Sequence, residues 1–259
     1  MTAPLLDVRG IGVRFGGLKA LDDVSFQVAP AQVMGLVGPN GSGKSTMLNV
    51  LSGVYVPDDG EVAFNGERID GRKPNRIAQA GLGRTFQNLQ IFQGLSILEN
   101  VLTGAHHRQR GGVLPTVFGL PGARAAERAA RDEAAALLVR VGLGGREDDP
   151  PSTLSYGQRR LLEVARALAT RPRILMLDEP CAGLSHGEAD QLAALVREMA
   201  TGGMSVIVIE HNMRFVMGLV DRMVVLNFGR KIAEGTPREI RDNADVVAAY
   251  LGKQRHAHG

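Results

Sequence analysis

Between the apolar run Val33–Val37 and the segment Lys44–Leu51 stands Gly38-Pro39-Asn40-Gly41-Ser42-Gly43-Lys44-Ser45, a match to G-x-x-x-x-G-K-[ST]. Such a loop needs a buried strand to enter it and a helix to leave it. The flanks supply both: Val33–Val37 reads as a strand, and Lys44–Leu51 as a helix that stops at Gly53. The glycines let successive N–H groups curl round phosphate oxygens with no Cβ in the way, and the helix turns its positive end on the same charge. Candidate phosphate-binding residues are Gly38, Pro39, Asn40, Gly41, Ser42, Gly43, Lys44, Ser45 and Thr46. Lys44 would reach the β and γ phosphates, and the Ser45 hydroxyl would complete a Mg²⁺ shell.

Alone, the loop says only that a nucleotide phosphate is bound, because kinases, GTPases and transport ATPases share it. Ile174-Leu175-Met176-Leu177-Asp178-Glu179 adds an apolar strand ending in two carboxylates, at the place where a βαβ sheet presents its ligand site. Asp178 would hold Mg²⁺ through water, and Glu179 would take a proton from the attacking water. An acidic pair after a buried strand is otherwise most often a helix cap; beside the glycine loop, the catalytic reading prevails.

The remaining pattern places these segments in an α/β chain. Val24–Val28 alternates as a half-buried strand, Gly10–Gly17 supplies turns before it, and Glu61–Ile69 carries a hairpin signal at Asn65-Gly66. This is a small antiparallel β region. Ser96-Ile97-Leu98-Glu99 is a capping box that opens a helical insertion. Within the insertion, residues 111–122 read as a loop, Ala123–Val141 as an amphipathic helix, Gly142–Pro151 as a break and Ser155 as the start of a helix with Leu161, Leu162, Ala165 and Leu168 on one face. The final third alternates strand and helix: Ile174–Leu177, a helix from Ser185, Ser205–Ile209, then Met223–Leu226 and Lys231–Glu234 about a turn at Asn227–Gly229. Thr236-Pro237-Arg238-Glu239 caps a further helix, the chain's last helix reaches Leu251, and Lys253–Gly259 reads as a polar, frayed tail.

Further segments make a family visible. Leu154-Ser155-Tyr156-Gly157-Gln158 resembles the signature of ABC (ATP-binding cassette) ATPases; His211 resembles their switch histidine, and Gln87 in Arg84-Thr85-Phe86-Gln87 their Q-loop glutamine. The motifs stand in the family's order over essentially the whole chain. The resemblance implies a P-loop NTPase (RecA-like) core with an antiparallel β subdomain and an inserted α-helical subdomain. The expected division is 1–95 and 161–259 for the two parts of the core and 96–160 for the insertion. It implies ATP and Mg²⁺ as cofactors, with Ser45, Gln87 and Asp178 at the metal, Glu179, His211 and Gln87 at the chemistry, and Phe15 stacked on adenine. Two cassettes would clamp ATP head to tail, Ser155, Gly157 and Gln158 contacting the nucleotide held by a same or similar second ATPase subunit. Tyr156 replaces the usual Gly, and the D-loop Ala182-Gly183-Leu184-Ser185 lacks the usual last Asp, which puts the communication between the two sites in question.

Gly83–Gln87, the Tyr-containing signature, Ala182-Gly183-Leu184 and the ending Asn243–Gly252 look like the ATPase of branched-chain amino-acid importers. The implied partners are permease subunits, received near Gln87, Phe92 and Leu95, and indirectly a substrate-binding protein; the implied place is the cytoplasmic face of the membrane. Related ATPases serve other amino acids, amides or lipids. A soluble ABC ATPase of translation or DNA repair is the competing reading; those carry paired cassettes or a long heptad insertion, and neither is visible here. Thirty basic against 27 acidic residues form no dense basic tract, so nucleic acid is not implied. The lone Cys181 excludes an internal disulfide or a cysteine cluster and points to a reducing compartment, and no leader or ~18-residue apolar span is visible.

Overall fold

Apolar alternation over Leu6–Phe15 (β1) and Leu18–Val28 (β2) pairs these strands antiparallel about Gly16-Gly17 in a computed structural model that describes residues 3–87, 89–105 and 121–251. The turns expected across Gly10–Gly17 are therefore mostly strand. β1 carries Gly10, at φ 59°, and register shifts between Val8 and Val13 as bulges, which absorb glycine within a ladder. β3 is Val33–Val37, followed by α1, Lys44–Leu51. Asp59–Phe64 (β4) and Glu67–Arg68 (β5) form the expected hairpin, with Asn65 and Gly66 both at positive φ.

Two short elements that periodicity does not reveal come next: α2, Pro74–Ala80, and β6, Leu82–Arg84. Then come α3, Ile97–Ala105, α4, Pro121–Arg140, a 3-10 turn at Pro151–Thr153, and α5, Tyr156–Leu168. Helix α4 begins at Pro121 rather than Ala123; the rest of the loop expected over 111–122 lies outside the described residues, as does the tail Lys253–Gly259. β7, Ile174–Asp178, α6, His186–Thr201, β8, Ser205–Glu210, α7, Met213–Met217, β9, Arg222–Asn227, and β10, Arg230–Gly235, continue the alternation. Pro237–Arg241 (α8), capped by Thr236 with Glu239 in return, and Ala244–Leu251 (α9) end the described chain.

The strands form an antiparallel sheet, β2-β1-β4-β5, and a second sheet, β10-β9-β3-β8-β7-β6, in which every strand but β10 is parallel. Because strand side chains alternate, the second sheet separates two cores. Val33, Val37, Leu175, Leu177, Val206 and Val208 face α3, α5 and α6. Met34, Leu36, Ile174, Met176, Ile207 and Ile209 face α1 and the antiparallel sheet. With both faces covered, the loops at the C-terminal ends of the parallel strands remain for polar chemistry.

Candidate functional site

The glycine loop bridges β3 and α1. Gly43 adopts φ 106°, and a Cβ there would lie 2.8 Å from both the Ala20 carbonyl oxygen and Leu21 Cδ2, so no other residue fits without movement. No side chain caps α1, which leaves its first N–H groups directed at the loop. Buried Lys44 spans the loop, its Nζ donating to the carbonyls of Gly38 at 2.7 Å and Pro39 at 3.0 Å. The buried Ser42 hydroxyl has no hydrogen-bond partner among the described residues. Ser45 is exposed beside it.

Three further candidates follow neighbouring strands at the same edge: Gln87 after β6, Glu179 after β7 and His211 after β8. Gln87 Nε2 donates to Glu179 Oε2 at 3.1 Å, and His211 Nδ1 lies 3.6 Å from Glu179 Oε1. Glu179 sits at φ 45°, a strained position for a non-glycine residue, with its N–H donating to Ile209 O at 2.9 Å. Asp178, at the end of β7, is buried and accepts from Arg84 Nη2 at 3.1 Å. Ser45, Asp178 and Gln87 offer hydroxyl, carboxylate and amide oxygens, the hard donors that Mg²⁺ takes alongside water and phosphate, so these residues fit that ion.

The signature residues form a second group, at the start of α5. Ser155 Oγ accepts from Gln158 N at 3.1 Å and Gln158 Oε1 accepts from Ser155 N at 3.0 Å, a complete capping box. The Ser155 hydroxyl also donates to Glu188 Oε1 at 3.1 Å, and Glu188 caps α6 through Ser185. The N–H and hydroxyl of Ser185, then Ser155, hold the Glu188 carboxyl below its ordinary range. A Cβ at Gly157 would fall 2.1 Å from Glu188 Oε1, so a larger residue there would displace the Glu188 carboxylate from its present position. The Tyr156 ring reaches the D-loop, lying against Gly183, whose Cβ would be 2.7 Å from Tyr156 Cε1. Ser185 serves as N-cap in place of the Asp. Phe15 stands at the tip of β1, 47% exposed, its ring edge-on to Tyr55 at 5.3 Å; it is not a core residue.

Several residues escaped sequence reasoning. Arg160 donates to the carbonyls of Phe86 and Gln87, and Glu163 accepts from Phe86 N at 3.3 Å, so α5 holds the backbone leading to Gln87. Burial pushes the Glu163 carboxyl up, opposed by the Phe86 N–H and by Arg160 and Arg166. Buried Glu210 accepts from the N–H groups of Cys181 and His211, fixing the residues that flank Glu179. Arg84 carried no periodic signal. A charged residue inside a short apolar run before Gln87 was the one available hint. Among the described residues no helix is long and apolar enough to cross a membrane.

A family model described as ABC transporter matches residues 21–182, and one described as branched-chain amino acid ATP-binding cassette transporter matches residues 230–256. The chain is 44% identical to the high-affinity branched-chain amino acid transport ATP-binding protein BraF of Pseudomonas aeruginosa, over 98% of this chain and all of that one. It superposes on the ADP conformation of an ATP-binding cassette of an ABC transporter with TM-score 0.84 at 32% identity, covering 97% of this chain and 100% of the other. A dimeric, post-hydrolysis cassette bound to ADP and phosphate gives TM-score 0.76 at 25% identity, over 90% and 99%.

Proposed function

This chain belongs to the ABC transporter family, and we propose that within it the protein is the ATP-hydrolysing subunit that energises a branched-chain amino-acid importer. The observation that carries the mechanism is the convergence of Gln87, Glu179 and His211 at the strand edge that also bears the Lys44 loop. Phe15 would take the adenine of ATP, the N–H groups of Asn40–Thr46 would surround its phosphates, and Lys44 would reach the β and γ groups. Ser45, Asp178 and Gln87 would hold Mg²⁺, which when bound would supply charge neutralisation at the phosphates. Glu179 accepts a proton from the attacking water as its oxygen bonds the γ phosphorus and the bond to ADP breaks. Gln87 orients Glu179, and His211 polarises the γ-phosphate.

The division into 1–95, 96–160 and 161–259 accompanies this reading, with Ser155, Gly157 and Gln158 of a second ATPase subunit completing each site. A cavity of about 470 Å³ lined by Phe86, Phe92 and Arg166 suits a helix of the permease, and the subunit sits at the cytoplasmic face of the membrane as a peripheral protein. Closure of the dimer then moves the channel, while the cargo is chosen by the permease and its binding protein.

Glu179→Gln keeps the phosphate clamp and removes the base. Turnover should fall roughly 10²- to 10⁴-fold while ATP is retained and the mass in solution doubles on adding Mg-ATP. Unchanged hydrolysis would remove Glu179 from its role.

A further inference from the structure

We propose that Arg84 is a positioning residue that couples the permease-facing cavity to the carboxylate of Asp178, so that occupancy of the cavity sets how readily the site takes Mg²⁺. The inference rests on the ATP-site and permease-docking readings above. The Arg84 side chain is 10% exposed and reaches two places at once. Its Nη2 donates to Asp178 Oδ2 at 3.1 Å, and its Nη1 to Asn49 Oδ1 at 2.7 Å and Ser52 Oγ at 3.0 Å, at the far end of the helix that begins in the glycine loop. The same guanidinium lies 5.1 Å from the centroid of the Phe86 ring, which is 46% exposed and lines the cavity together with Arg84. Its buried Nε has no hydrogen-bond partner among the described residues, so the side chain is held chiefly through its terminal nitrogens.

One carboxylate cannot serve two cations at full strength. A guanidinium at 3.1 Å in a buried setting offsets part of the Asp178 charge, and a divalent ion must bind against that competition. A helix packed on Phe86 shifts the ring and, through the stack, the guanidinium, changing how much of the Asp178 charge remains available. A neutral residue at position 84 leaves the carboxylate unopposed.

The test is the Mg²⁺ concentration giving half-maximal binding of a fluorescent ATP analogue to the full chain, free and assembled with its permease. For Arg84→Gln in the free subunit the midpoint should fall roughly three- to tenfold, the scale of one partly screened charge pair; an equal or higher midpoint overturns the proposal. Wild type should show different midpoints free and assembled, whereas Arg84→Lys, which keeps the charge and loses the planar stack, should keep the free value and lose the difference. A difference retained in Arg84→Lys overturns the coupling even if Arg84→Gln does not fold. Asp178→Asn separates the two levels: if it leaves the wild-type Mg²⁺ dependence intact, the ATP-site reading of Asp178 fails. An unchanged Arg84→Gln midpoint beside a clear Asp178→Asn effect overturns the role of Arg84 alone.

Discussion

Cys181 lies two residues beyond Glu179 yet behaves as packing. Burial, and then the carboxylate of Glu210, push its thiol well above the ordinary range. Since the thiolate is the reactive form, iodoacetamide should modify it at least roughly tenfold more slowly than a free thiol at the same pH, and an equal rate would contradict the account. Its side chain is partly buried, packed against the core that α3, α5 and α6 cover. Glu179 was readable as the second carboxylate after an apolar strand, whereas Gln87 and His211 were readable only through the family resemblance. Their mutual contact was not readable, because it joins positions 92 residues apart through the order of the sheet. Arg84 and Glu210 were missed for the same reason: a buried charge shows its purpose only through its partner. The exposed ring of Phe15 could not be told from a core aromatic, because it continues the alternation of Leu6, Val8, Ile11 and Val13 along β1.

Helix starts are the elements that sequence conveyed best. Ser155 with Gln158, Ser185 with Glu188 and Thr236 with Glu239 all form reciprocal caps, because a cap is decided within four residues. The weak elements were α2, β6 and α7, too short to display a period, and β1, whose glycines signal turns but occupy bulges. Contact between helices was beyond reach as well. Gly104 of α3 lies so close to α5 that a Cβ would stand 2.1 Å from the Arg166 carbonyl oxygen and 3.2 Å from Ala169 Cβ. Gly104→Ala gains up to about 1 kcal/mol of helix propensity but must push backbone away, and overpacking of that kind costs about 1–3 kcal/mol. Urea unfolding should show a net loss of stability. A gain would mean that the two helices separate freely.

At the scale of the molecule, a parallel sheet covered on both faces leaves one edge for chemistry, and the helical insertion presents a second, separate group in Ser155, Gly157 and Gln158. Neither group is sufficient in the proposed mechanism, which therefore calls for a dimer. The cargo is the part least written in the site: the phosphate chemistry is common to ABC ATPases, and the pointer to branched-chain amino acids lies in the family wording and in the match over residues 230–256. The deciding measurement is therefore ATP hydrolysis by the complex reconstituted in membranes with its permease and binding protein, scanned across amino acids with Glu179→Gln as control. Stimulation by leucine, isoleucine or valine, absent in Glu179→Gln, is the predicted result; intact hydrolysis that none of the three stimulates would contradict the account.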